Sequence, residues 1–302
     1  DLFPSNPEAL HSLAVINQQL GEHQIAIQCL RKASQLDPGN ILYEEGIAHS
    51  LLAKQELTEA VRQADAILKT DPKNETAWQV KVKALLKSNK PEEARQAIHF
   101  TLDVVENPVP FELQKIDLDN ARNPQQAVLV SQKLAENYPE NVAVLNNLAQ
   151  KQIQIGEIEK AEQPLQRSLV LDQSNPEPLV ALGMVDRVRG NLDQALAHLS
   201  KAIELQPGLM EAYLEMGLTY QDRREVNNAI QTYHKAIAMV SNDPRPYLQA
   251  AAAYKESRDY RNAEFMLRQA SQLSPSDQNI RRQLAAVVAL NIVNNLQETP
   301  KR

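Results

Sequence analysis

Cysteine is nearly absent from this chain, and long apolar runs are absent altogether. Cys29 is the one cysteine in 302 residues, so no disulfide can form within the chain and cysteine usage indicates no redox compartment. No run of about 18 apolar residues occurs, so the sequence predicts no membrane-spanning helix. The chain starts at Asp1 without a basic-then-apolar leader. We expect a soluble protein that is cytoplasmic or, if a leader has been removed, extracytoplasmic.

Positive charge is in the minority, and the short motifs that mark common catalytic sites are absent. The 32 lysines and arginines are outnumbered by 38 aspartates and glutamates, for a net charge of -6. This balance disfavours non-specific attraction to nucleic acid or to anionic lipid. The sequence has no phosphate-binding glycine loop, paired zinc-ligand cysteines, metalloprotease helix or serine elbow. It therefore predicts a protein that is not an enzyme, needs no cofactor and does not bind nucleic acid.

What the chain does have is a small residue that recurs at a nearly constant spacing. Successive members are 34 residues apart, except for one interval of 33. Such a period is typical of stacked supersecondary units, none of which can bury its apolar face alone. Apolar residues at helical spacing flank each member, and a proline that cannot continue a helix closes many units. The recurring residues are Ala26, Ala60, Ala94, Ala127, Ala161, Ala195, Ala229 and Ala263.

Each unit is therefore predicted to form a helix, a turn and a second helix. The large and small residues of the units resemble those of the tetratricopeptide repeat. The seventh unit is the best copy, with Tyr213, Met216, Gly217, Tyr220, Ala229, Tyr233 and Ala236 at the signature positions. The resemblance implies an all-α fold, a right-handed solenoid superhelix of about eight repeats that makes residues 1–302 one domain. The predicted repeats are 7–40, 41–74, 75–107, 108–141, 142–175, 176–209, 210–243 and 244–277, followed by a terminal helix over 278–296.

The fourth unit departs most from the pattern. Its first helix has to be taken from Val109 onward, which places Gln114 and Lys115 at core positions. The unit before it is also one residue short. We expect either a hinge near residues 107–110 or a degenerate repeat that still stacks normally.

In this family the first helices line a concave groove, so the resemblance implies that their equivalent positions form the binding surface. In repeats six to eight these positions are mostly apolar, with polar side chains at the rim. Such a patch is typical of a site for a peptide or a helix. The alternative is that neighbouring first helices bury it against each other. The predicted peptide-binding residues are Val180, Met184, Arg187, Leu214, Leu218, Gln221, Leu248, Ala252 and Lys255.

The amino-terminal part of the same groove is polar and includes Gln79, Lys83, Lys87, Asn146 and Gln150. Within it, the first helices of repeats one and two each carry a glutamate and a histidine at helical spacing. Carboxylates and imidazoles so placed could hold a divalent metal ion, and a solvated polar surface is the other interpretation. The candidate metal ligands are Glu8, His11, Glu45 and His49.

The leading hypothesis is a non-enzymatic scaffold that holds a client peptide or helix in its groove, in the assembly of a larger complex. The alternatives are an assembly factor that also binds a divalent metal, and a regulatory arm of a larger enzyme. The terminal helix is apolar on more than one face, which predicts a homodimer, a partner contact or further chain beyond it. Its apolar residues are Ile280, Leu284, Val287, Val288, Leu290, Ile292, Val293 and Leu296.

Overall fold

The computed structural model describes residues 6–298, and the side chains of residues 6–294. Over this range the chain forms seventeen α-helices and no strand. The predicted all-helical repeat solenoid is confirmed. The chain divides into two compact units, Asp1–Ser131 and Gln132–Arg302. That all the repeats form one domain stays a prediction.

The helices occur in pairs, and each predicted repeat range contains one pair. The first helices are α1 Pro7–Gln19, α3 Ile41–Ala53, α5 Glu75–Lys87, α7 Val109–Asp119, α9 Val142–Gln154, α11 Glu177–Arg189, α13 Met210–Asp222 and α15 Pro244–Glu256. The second helices are α2 His23–Leu36, α4 Leu57–Thr70, α6 Pro91–Leu102, α8 Pro124–Asn137, α10 Ile158–Leu171, α12 Leu192–Leu205, α14 Val226–Met239 and α16 Tyr260–Leu273. Helix α17, Gln278–Glu298, follows them.

Several first helices begin at a capping asparagine or aspartate. The side-chain oxygens of Asn6, Asn74 and Asn141 accept hydrogen bonds from backbone N–H groups of the following turn. Asp243 caps α15 in the same way. These caps satisfy N–H groups that have no partner within the helix, and each contributes about 1 kcal/mol. In these repeats the start of the first helix is therefore set locally, by a residue that recurs at the same place in the repeat.

A residue with positive φ stands between the two helices in seven of the eight repeats. The left-handed conformation ends the first helix and lets the second fold back against it. Glycine adopts it without steric cost, whereas other residues do so at a cost. The residues are Gly21, Gln55, Asn89, Gly156, Gly190, Arg224 and Arg258.

The recurring alanines lie in the core, where pairs of helices approach closely. All eight are at most 4% exposed. Two glycines of the first helices show how little room remains. A Cβ added to Gly183 would lie 2.6 Å from Leu199, and one added to Gly217 would lie 2.2 Å from the ring of Tyr233. Small residues at these positions therefore set the distance between the paired helices.

The fourth repeat is irregular at both ends of its first helix. Helix α7 has 11 residues where the other first helices have 13, and no residue with positive φ ends it. The side chain of Asn107 caps nothing, while its backbone N–H donates to Glu75. The prediction that Lys115 occupies a core position is wrong, because that residue is exposed and Phe111 and Ile116 are buried instead. The hinge near residues 107–110 stays a prediction.

Candidate functional site

A cavity of about 730 Å³ lies in the second unit, between the first helices of repeats five to eight. Helices α9, α11 and α13 supply most of its wall, and α15 supplies one arginine. The lining consists of Ala143, Asn146, Asn147, Gln150, Ile153, Leu165, Glu177, Val180, Ala181, Met184, Leu209, Glu211, Leu214, Glu215 and Arg245.

Three of the predicted apolar groove residues, Val180, Met184 and Leu214, line this cavity. All three are partly buried, so neighbouring first helices cover them incompletely. Val180 and Leu214 also pack against clusters of buried residues. These side chains form an apolar floor that is anchored to the core beneath it.

The remaining predicted apolar residues lie elsewhere in the second unit. Leu218 and Ala252, with Gln221, line a separate cavity of about 380 Å³. Leu248 packs against the apolar core of the last repeats. Lys255 is exposed and lines neither cavity. Three of the predicted peptide-binding residues thus line the larger cavity and three the smaller one, while Arg187, Leu248 and Lys255 line neither.

The division of the groove into a polar part and an apolar part needs correction. Asn146 and Gln150, assigned to the polar part, line the same cavity as the apolar floor. Gln79, Lys83 and Lys87 lie on α5 in the other unit, where the two lysines are exposed and Gln79 is half-buried. The cavity therefore combines amide and apolar side chains.

Sequence reasoning missed the carboxylates of the cavity. Glu177 and Glu211 stand at the second position of their repeats, which is also the position of Arg245. Comparison of that one position across repeats would have found them. Glu215, a third carboxylate in the lining, stands at the sixth position of its repeat.

Two of the predicted rim residues are held by ion pairs and hydrogen bonds within the unit. Arg187 lies 3.2 Å from Glu215 and 3.1 Å from Asp222. Burial raises the pKa of Glu215, and the charge of Arg187 opposes this shift. Gln221 accepts a hydrogen bond from the hydroxyl of Tyr233 at 2.7 Å. These contacts tie α11 to α13 and α13 to α14.

Arg245 is likewise held at the mouth of the cavity. Its guanidinium lies 2.8 Å from Asp243 and 3.3 Å from Glu211. The hydrogen bond from Arg245 lowers the pKa of the Asp243 carboxyl, although desolvation opposes it. The positive charge of Arg245 is therefore already paired.

The candidate metal ligands are engaged in other contacts. The ring of His11 packs against that of Tyr43, with centroids 5.6 Å apart, and Glu45 accepts a hydrogen bond from Asn74 at 2.8 Å. Desolvation, followed by the charge of Lys83, lowers the pKa of His49. No three histidine, cysteine, aspartate or glutamate side chains within residues 6–294 are arranged to hold a metal ion. The structure does not bring Glu8, His11, Glu45 and His49 together as a ligand set, and metal binding stays a prediction.

Helix α17 buries one face and leaves apolar residues exposed on another. Ile280 and Val287 are buried, whereas Leu290, Ile292 and Val293 are 40 to 55% exposed. The side chain of Leu296 lies outside the described residues. A homodimer through α17 stays a prediction. None of the helices described here combines the length and apolar character needed to cross a bilayer.

Sequence comparison relates the chain to two families of helical repeat proteins. The model for the coatomer epsilon subunit matches residues 48–207, slightly more than half of the chain. The model for the tetratricopeptide repeat matches residues 7–40 and 244–277, which are the first and last of the predicted repeats. None of the curated proteins matches the chain.

Solved structures share the fold at low sequence identity. The crystal structure of the APC/C hetero-tetramer Cut9-Hcn1 matches with a TM-score of 0.66 and 19% identity, over 92% of this chain and 55% of that one. The chain thus spans about half the length of that relative. A tetratricopeptide repeat protein from Parabacteroides merdae matches with a TM-score of 0.50 and 15% identity, over 93% of this chain and 98% of the other. From its repeats and from the model that matches the first and last of them, the chain belongs to the tetratricopeptide repeat family.

Proposed function

We propose that this protein is a non-enzymatic scaffold that holds a segment of a partner protein in the cavity between α9, α11, α13 and α15. The observation that carries the proposal is the composition of the lining. Val180, Met184 and Leu214 remain only partly buried at the floor, and polar side chains surround them. An apolar floor with a few convergent polar groups is the usual form of a binding site.

Work in the assembly of a larger complex is the more specific part of the proposal. Residues 48–207 are similar to the coatomer epsilon subunit, which by its name is one part of a larger assembly. Stacked helical repeats suit such work because they present a long surface on a rigid frame. The fold is shared by many proteins with different partners, so the partner has to be found through the site.

The test is a substitution that places a charge on the floor of the cavity. Met184 is suitable because it is partly buried and lines the cavity, whereas Leu214 also packs on the core and would cost stability if replaced. A desolvated carboxylate at position 184 should oppose an apolar side chain of the partner. Met184→Glu should therefore lose a partner that the wild-type protein retains from a lysate of its source.

The matched control is Met239→Glu, which makes the same chemical change at an exposed residue of α14. It should retain the partner, and circular dichroism should show that both variants stay folded. Equal retention by both variants would contradict the proposal.

A further inference from the structure

We propose that the segment held in this cavity is extended and carries an apolar side chain flanked by lysine or arginine. The inference rests on the proposed function and makes it specific, since it names the chemistry of the partner. It is carried by the charges that line the cavity and by the types of polar group in its wall.

The charged groups of the lining are mostly carboxylates. Glu177, Glu211 and Glu215 line the cavity together with a single cation, Arg245. The charge of Arg245 is already paired, since its guanidinium lies 2.8 Å from Asp243, a carboxylate outside the lining. No lysine contributes to the lining. The surface that a partner meets is therefore negative, and electrostatic complementarity favours a positive segment.

The arginines nearby do not neutralise all of this charge. Arg187 is shared between Glu215 and Asp222, and Arg245 between Asp243 and Glu211. Each arginine is thus shared between one carboxylate of the lining, Glu215 or Glu211, and one outside it. Glu177 is exposed and, among the described residues, receives only a hydrogen bond of 3.4 Å from Asn146. Glu177 is therefore the side chain best placed to pair with a lysine or arginine of the partner.

The amide side chains favour an extended segment over a helix. Asn146 and Gln150 stand one turn apart on α9 and both line the cavity. Each amide can donate and accept hydrogen bonds. An extended backbone has N–H and C=O groups that need partners, whereas the middle of a helix has already paired its own. The amides therefore complement an extended backbone that lies across the apolar floor.

Selection from a random peptide library displayed on phage tests the inference on the full chain. Phage that also bind a Met184→Gln variant, which makes the floor polar without changing its charge, are removed, so that the enriched peptides depend on the apolar cavity floor. The expected result is a set of sequences with lysine or arginine beside an apolar residue. Enriched sequences that are acidic or uncharged would overturn the inference while they support the proposed function. The absence of any enrichment that depends on Met184 would count against the proposed function itself.

A charge reversal then tests the assignment of the carboxylates with one of the enriched peptides. The double variant Glu177→Lys, Glu211→Lys should bind it about ten-fold more weakly, and the loss should shrink at high salt, where charges are screened. Glu204→Lys makes the same change at an exposed residue of α12, outside the cavity, and should leave the affinity unchanged. Equal affinity for the wild-type protein and the double variant would overturn the assignment.

Discussion

At the scale of single residues, the repeat depends on side chains whose size is fixed by the opposite helix. Gly217 faces the ring of Tyr233, which is fully buried and bonded through its hydroxyl to Gln221. The ring is therefore held at both ends and cannot move aside. Gly46 faces only the methyl groups of Leu30, the nearest at 2.9 Å, and a leucine tip can rotate.

We expect Gly217→Ala to destabilise the protein by about 1 to 3 kcal/mol, because the added methyl group overpacks a site that cannot relax. Gly46→Ala is the matched control, and it should change stability by less than about 1 kcal/mol, since the gain in helix propensity offsets the contact with Leu30. Urea denaturation followed by circular dichroism measures both. Similar losses of unfolding free energy in the two variants would contradict the prediction, because they would show that the space around each glycine does not determine the cost of the added methyl group.

A second prediction at this scale concerns Glu112, a half-buried residue of α7. Its Oε2 atom is buried and has no hydrogen-bond partner among the described residues. Desolvation raises the pKa of this carboxyl, and the charge of Lys115 opposes the shift. Below the pKa of the unfolded chain the group is neutral in both states. As pH rises through the folded-state pKa, ionisation is harder in the folded state, so stability is lost.

Glu112→Gln should therefore be more stable than the wild-type protein at neutral pH, and the difference should shrink as the pH falls below the pKa of an unperturbed glutamate. Thermal melts across this pH range give the measurement. Glu136→Gln on α8, at an exposed residue, is the control and should show no such dependence. A difference that grows toward acid would contradict the sign of the shift.

At the scale of helices, two local signals mark most of the repeats: a side-chain cap at the start of the first helix and a left-handed residue at its end. Where both are missing, in the fourth repeat, α7 is the shortest helix and its register could not be predicted from the sequence. Placement of Lys115 in the core followed from counting residues from the previous repeat. The structure instead buries Phe111 and Ile116. Burial of these apolar side chains stabilises the fold more than keeping the residue spacing of the previous repeat would.

The left-handed residues give a prediction of their own. Gln55 is exposed with a φ of 64°, a conformation that costs a residue with a Cβ about 1 to 2 kcal/mol. Gln55→Gly should relieve this cost, and the net gain should be about 0.5 to 1 kcal/mol after the extra entropy of glycine is subtracted. Gln55→Ala keeps the Cβ and should give no gain. A lower melting temperature for the glycine variant would contradict the interpretation of this turn.

At the scale of the whole molecule, the sequence was sufficient for the architecture but not for the site. The constant spacing of alanines and the alternation of helix and turn predicted the helical repeats, because every repeat solves the same packing problem. The lining of the cavity depends on contacts between repeats. Arg187 and Gln221 look like free rim residues in sequence, yet the structure pairs them with Glu215 and Tyr233. Such pairing depends on distances across helices, which periodicity does not give.

The central claim is that the cavity between α9, α11, α13 and α15 is where a partner binds. Site-specific photo-crosslinking tests it most directly, with a photoreactive amino acid placed at Met184 in one variant and at Met239 in another. Met184 lines the cavity, and Met239 is exposed on α14. The account predicts a covalent adduct with the partner from position 184 and none from position 239. An adduct from position 239 alone, or equal yields from both, would contradict it.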